Sequence, residues 1–204
     1  MKSTATRTYV QRERARAAQA NTERIMQAAL ELFVERPFDQ ITLTSVAERA
    51  GVGLQTVIRR VGTKDGLVRA AGEWADPQVQ ESRGAPPPGD DPRAVAEAVA
   101  VQYERWGAIT DRLLRQEDAS PALAEMAELG RRNHRAWIET TFAEQLAPLG
   151  ADERHALRAR LVGVTGIELW QVLRSVEGLS ADAATDAVAD LVAACLSTPH
   201  GRES

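Results

Sequence analysis

From Asn21 onward the apolar positions fall on one helical face: Ile25, Ala28, Ala29, Leu32 and Phe33 recur at i, i+3, i+4, i+7 and i+8, the spacing of an amphipathic helix. Pro37 stops that helix. Thr42 opens the next as an N-cap, Val46 and Ala47 supply its buried side, and Ala50-Gly51 ends it. Gly53 takes the following cap position. The helix after it, Leu54 to Val61, sets Val57 and Val61 on its buried side and Arg59 and Arg60 on another. Thr63 caps a further helix that continues through Leu67, Ala70, Ala71 and Trp74 towards the proline-rich stretch GAPPPGDDP at 84–92, which breaks it. Asp91-Pro92 then has the N-cap and N1 signature of a new helix. Beyond it the pattern is helical, without strand alternation or an internal repeat, and predicts helices at about 92–116, 121–129, 130–147, 152–177 and 180–197. Ser120-Pro121, Pro148-x-Gly150 and Gly178-x-Ser180 mark the breaks. The fold class is all-α.

A short helix, a glycine-bearing turn and a second short helix make a helix-turn-helix, whose second helix lies in a DNA major groove. Leu54, Gln55 and Thr56 open that helix and would face base edges. Gln pairs bidentately with adenine, and Leu or the Thr methyl touches a thymine methyl. Arg59, Arg60 and Lys64 would neutralise phosphates, and the helix capped by Thr63 would turn its N-terminal amides to another. With the Thr42 cap, the expected DNA-binding set is Thr42, Leu54, Gln55, Thr56, Arg59, Arg60, Thr63 and Lys64.

Spaced positions in one register, I25-x2-A28-A29-x2-L32-F33, T42-x3-V46-A47-x2-A50-G51-V52-x3-T56-V57 and G62-T63-K64-D65-x-L67, resemble the DNA-binding head of the TetR family of bacterial transcriptional repressors. The resemblance covers roughly residues 21–70 and implies DNA-contacting roles for Thr56 and Lys64. It also implies an N-terminal three-helix DNA-binding domain followed by a larger helical ligand-binding and dimerisation domain. Three positions depart from the family pattern: Ile58 stands where a tyrosine is usual, Val61 replaces an aromatic, and Gly53 replaces a serine cap. Ile58 cannot hydrogen-bond a phosphate, and the charge of Arg59 and Arg60 offsets that loss.

Charge divides the chain the same way. Met1–Gly72 holds 12 Lys and Arg against 7 Asp and Glu, and the remainder holds 13 against 22, so a basic head precedes an acidic body although the net charge is -4. Residues 1–20 carry Lys2, Arg7, Arg12, Arg14 and Arg16 with hardly an apolar side chain and read as a flexible basic arm, following DNA or simply solvated as a frayed helix start. The expected organisation is thus 1–20 arm, 21–70 DNA-binding head, and 71–204 body with a loop at 84–92. At 44% hydrophobic content a packed core is available. The first twenty residues have no apolar signal core, and no apolar run approaches the ~20 residues that span a bilayer. A lone Cys195 in an apolar run fits core filling in a reducing compartment. The protein is expected in the cytoplasm, with no membrane partner.

No catalytic motif stands out, and no cofactor, metal or enzymatic activity is expected. His134, His155 and His200 sit in separate contexts and read as solvated surface. The body's aromatics, Tyr103, Trp106, Trp137, Phe142 and Trp170, either fill the core or line a site for an apolar or aromatic small molecule, with Gln102 or Asn133 as polar contacts. The candidate ligand-binding set is Gln102, Tyr103, Trp106, Trp137 and Trp170. The helices at 152–177 and 180–197 are apolar over more than one stripe, and Ala159, Gly163, Thr165 and Gly166 offer small-residue surfaces; the pair is either central to one core or a homodimer interface. The reading that unites these features is a ligand-responsive repressor that binds a palindromic operator as a homodimer and is released by a small-molecule effector. Its rival is a helical small-molecule binding protein or enzyme with an incidental basic head.

Overall fold

Without a proline or glycine between Ser3 and Glu35, the chain folds there as one helix, α1. The stretch expected to be a flexible arm is therefore helical from Ser3, because its Ala, Arg, Gln and Glu favour the helix even with no apolar stripe to bury. The computed structural model describes residues 3–197, so Lys2 and His200 lie outside the described residues. Among the described residues the remaining helices are α2 (Leu43–Ala50), α3 (Leu54–Val61), α4 (Lys64–Arg83), α5 (Pro92–Arg115), α6 (Pro121–Thr141), α7 (Ala143–Leu146), α8 (Ala151–Val164), α9 (Ile167–Gln171) and α10 (Ala181–Ser197). Short 3-10 turns sit at Phe38–Gln40 and Glu117–Ala119, and a π turn at Val172–Val176. No helix among the described residues is long and apolar enough to cross a membrane.

Two compact units result. The first takes the residues up to Ala75 together with Gln116–Ala124; the second takes Asp76–Arg115 and the residues from Glu125 on. In the first, α1 packs on α2 and α2 on α3. Its core holds Ile25, Met26, Leu32, Val46 and Val57, each at most 1% exposed. In the second, α10 packs along α5 and α8, and α5 along α9. There the interior includes Val95, Ile138, Phe142, Leu157, Leu161 and Val188.

The body departs from its expected helices at two places. The helices expected at 121–129 and 130–147 are one, α6, up to Thr141: Gly130 is exposed with open space beside it, and nothing there caps or stops the helix. A glycine costs a helix about 1 kcal/mol, less than the burial of Ala127, Trp137 and Ile138 along one face returns. The helix expected at 152–177 is broken instead at Thr165-Gly166. Thr165 Oγ1 donates back to the Leu161 carbonyl at 2.7 Å, and Gly166 is extended at φ -76, ψ 156. Thr165 and Gly166 are therefore interior rather than a small-residue surface, whereas Ala159 and Gly163 are exposed.

Candidate functional site

The helix-turn-helix is held by local capping. Thr42 Oγ1 accepts from the Ser45 amide at 3.0 Å, and Ser45 Oγ accepts from the Thr42 amide at 3.1 Å, a reciprocal cap that fixes the start of α2. Gly51 ends α2 in the left-handed region at φ 64, where glycine carries no Cβ penalty. Gly53 enters α3 without a side-chain cap. Val57 is fully buried beneath α3, whereas Val61, expected beside it, is half-buried. Thr63 Oγ1 accepts from the Gly66 amide at 3.0 Å and so caps α4. Between α1 and α2, Arg49 grips Glu35 through two N–H groups at 2.9 and 2.7 Å and reaches Glu31 at 3.3 Å, which holds the Glu35 carboxyl below its ordinary range.

This frame leaves the outer side of α3 to solvent. Gln55, Arg59 and Arg60 are exposed, Leu54 and Ile58 are each 40% exposed, and Thr56 is half-buried. Arg59 and Arg60 have no ion-pair partner among the described residues. Lys64 is placed differently from a free surface cation: its Nζ stands 4.0 Å from the centroid of the Phe38 ring, and burial lowers its pKa. Phe38 is itself positioned from far along the chain, its amide donating to Gln116 Oε1 at 2.7 Å. Sequence reasoning missed Gln116, and with 78 residues between donor and acceptor no local signal could have found it.

In the second unit the candidate ligand residues are all buried: Gln102, Tyr103, Trp106, Trp137 and Trp170 lie between 2% and 8% exposed. Tyr103, Trp137 and Trp170 share one core with Phe142, and the Tyr103 and Trp170 rings lie 6.5 Å apart. Tyr103 donates its hydroxyl to the Thr165 carbonyl at 3.2 Å, and burial pushes its pKa up to about 12. Gln102 and Trp106 stand one turn apart on α5, and Gln102 Oε1 and Trp106 Nε1 are buried without a partner. Asn133 is half-buried on α6. Glu104 is held by Arg174 through a forked pair at 2.9 and 3.1 Å, which keeps its carboxyl below the usual range.

Of the histidines expected on the surface, His155 is exposed, but His134 is half-buried. Its Nε2 faces the Val162 carbonyl at 3.4 Å and Thr165 Oγ1 at 3.2 Å, and its ring stacks on Trp137 at 6.0 Å. The neighbouring arginines that suggested a solvated face lie on the other sides of α6: Arg132 is exposed, and Arg131 and Arg135 pair with Glu128. Burial, followed by the charge of Arg83, lowers the His134 pKa to about 4. A buried neutral histidine stabilises the fold fully above its unfolded pKa of about 6.5, and that contribution is lost as pH falls through the native value. Guanidinium unfolding is expected to show about 2 kcal/mol of stability lost through this residue between pH 7 and pH 5. His134→Gln should flatten that part of the pH profile, and an unchanged slope would reject a neutral buried His134.

Among the described residues no group of three or more His, Cys, Asp and Glu is arranged to hold a metal ion. Cys195 is buried, and desolvation raises its pKa.

Residues 25–71 match the family model described as bacterial regulatory proteins, tetR family. The chain is 30% identical over 103 residues to the HTH-type transcriptional regulatory protein RaaS of Mycobacterium tuberculosis, a match covering 50% of this chain and 48% of that protein. The chain thus matches about half the length of that relative. Its fold is that of a transcriptional regulator from Rhodococcus sp. RHA1, with a TM-score of 0.66 at 18% identity over 86% of this chain and 95% of the other. A TetR-like transcriptional regulator from the same organism superposes with a TM-score of 0.66 at 19% identity, over 88% of this chain and 97% of that one.

Proposed function

We propose, on the premise that the chain belongs through residues 25–71 to the tetR family of bacterial regulatory proteins, that this transcriptional regulator is a cytoplasmic homodimeric repressor released from a palindromic operator by a small molecule. The observation that carries the reading is the outward side of α3: a helix locked from beneath by Val57, with Gln55, Arg59 and Arg60 exposed and both arginines without a partner among the described residues. Gln55 reads a base edge, with Leu54 and Thr56 beside it; Arg59, Arg60 and Lys64 meet phosphates. Thr42 and Thr63 spend their oxygens on caps, and each keeps a hydroxyl hydrogen for a phosphate oxygen. Ile58 offers an apolar contact to sugar or thymine methyl in place of a tyrosine hydroxyl.

Dimerisation through the last helices is supported by apolar side chains the single chain leaves open: Val172, Val176 and Leu191 are 45%, 73% and 39% exposed. Gly163 has open space beside it, where a partner helix could approach closely. The effector site lies among Gln102, Tyr103, Trp106, Trp137 and Trp170. Release requires the effector to bind the DNA-free arrangement more tightly than the DNA-bound one, since binding both equally shifts nothing.

Selection of bound DNA from a random pool tests this reading. The expected product is an inverted repeat with half-site centres about one helical turn, ~34 Å, apart. Gln55→Ala should relax the preference at one base pair of each half-site by roughly 1–3 kcal/mol while leaving the other positions intact. A pool that never converges on an inverted repeat refutes the operator reading, and a monomer in sedimentation refutes the dimer.

A further inference from the structure

The body places a cation where it meets no anion. Arg83, at the end of α4, is half-buried with its guanidinium 5.3 Å over the Trp137 ring, and it has no hydrogen-bond or ion-pair partner among the described residues. Several other arginines of the same unit meet carboxylates, Arg93 with Glu97, Arg115 with Asp111, Arg158 with Glu139 and Arg174 with Glu104, while Arg112 and Arg160 each leave a buried Nε unpaired. A guanidinium carries five N–H donors in a fork matched to a carboxylate, and partial burial without one is costly. Desolvation accordingly lowers the Arg83 pKa.

Two polar groups beside Arg83 are buried and unsatisfied. Trp137 is 7% exposed, and its Nε1–H has no acceptor. His134, stacked on Trp137, has a buried and unpartnered Nδ1. The hydrogen on His134 is fixed by its surroundings: Nε2 faces the Val162 carbonyl and a Thr165 hydroxyl whose own hydrogen goes to Leu161, both acceptors, so Nε2 carries the hydrogen and Nδ1 is a bare acceptor. Trp137 Nε1 and His134 Nδ1 are thus a buried donor and a buried acceptor left unpaired beside a half-buried guanidinium, a polar grouping that a ligand would complete.

We infer that the small molecule bound by the body is an organic anion, a carboxylate on an aromatic or apolar frame, with Arg83 and Trp137 Nε1 as its donors and His134 Nδ1 as acceptor for a neighbouring hydroxyl. The inference rests on the reading that the body binds an effector, and it names that effector's chemical class. Trp137, Tyr103 and Trp170 supply the apolar surroundings for the frame.

The test titrates the full chain with benzoate, 2-hydroxybenzoate and octanoate and with the neutral isosteres benzamide and octanamide, following binding by calorimetry. The expected result is binding of at least one carboxylate at least tenfold tighter than its amide, with 2-hydroxybenzoate tighter than benzoate. Arg83→Gln should remove the preference for carboxylate over amide, and Arg83→Lys, which keeps the charge without the fork, should keep part of it. Trp137→Phe retains the ring and should weaken the carboxylates severalfold. Equal affinity for acid and amide, no binding of any probe at millimolar concentration, or a folded Arg83→Gln that binds carboxylates as the native chain does would each overturn the inference. Gel shift separates the underlying reading: carboxylates that bind without altering operator retention sink the effector role and leave the anion site standing. Release by neutral compounds alone does the reverse.

Discussion

Arg59→Ala/Arg60→Ala is expected to lower operator affinity roughly 60-fold at about 0.1 M salt, and to do so for every sequence alike. The magnitude follows from counterion release. Each phosphate contact contributes about 0.9 to the slope of log K against log salt, so at 0.1 M each lost contact removes close to tenfold and two remove about 60-fold. The effect falls on affinity alone because both side chains are exposed and neither has a partner among the described residues to miss it. The unfolding midpoint should therefore stay within about 0.5 kcal/mol of the native chain. Measured from 0.05 to 0.2 M salt, the slope should become shallower by about 1.8. A loss confined to one operator sequence would mean that these arginines read bases, and an unchanged slope would remove them from the backbone altogether. The double substitution is the more demanding test because, on the proposed reading, Ile58 stands where the tetR-family pattern has a tyrosine, so α3 would depend on charge for its grip.

What the sequence announced and what it concealed divide by the range of the interaction. Thr42, Thr63, Asp91, Ser120 and Ser180 each cap a helix by bonding to an amide three residues on, a contact determined by neighbouring residues and hence readable from them. The buried faces of α1 to α3 followed from period alone, apart from Val61, which is only half-buried in the last turn of α3. By contrast, the break between α8 and α9 depends on Thr165, whose carbonyl is claimed by Tyr103 from 62 residues away. His134 looked solvated because its sequence neighbours are arginines, yet an α-helix turns successive residues to different sides. Its own side meets Val162 and Thr165. Gln116 and Arg83 matter through partners that no spacing rule connects to them. The expected DNA-facing residues cluster in sequence and could be read together, whereas the polar groups of the body come from α4, α5, α6 and α8 and meet only on folding.

Phe142→Ala is expected to destabilise the body by about 3–5 kcal/mol, the range for emptying a fully buried aromatic site. Phe142 is 0% exposed at the junction of α6 and α7, where its amide donates to Ile138 and its carbonyl accepts from Leu146. The cavity cannot readily collapse, because the loop before α5 is already pressed onto this junction. A Cβ added at Gly89 would stand 2.4 Å from the Thr141 carbonyl and 3.1 Å from the Phe142 ring. Backbone this close has no slack with which to follow a shrinking side chain. A chain of this size loses about 2–4 °C of Tm per kcal/mol, so the body's thermal transition should fall by roughly 6–20 °C. Phe142→Leu, which refills most of the volume, should recover over half of the loss. Gly89→Ala approaches the same junction from the loop side and should destabilise it too, since a backbone carbonyl cannot rotate away as a side chain can. Guanidinium unfolding of the three variants decides the matter: equal stability of Phe142→Ala and the native chain would show that this junction relaxes freely. The cost should appear in the body's unfolding, while operator affinity at temperatures below the transition stays unchanged.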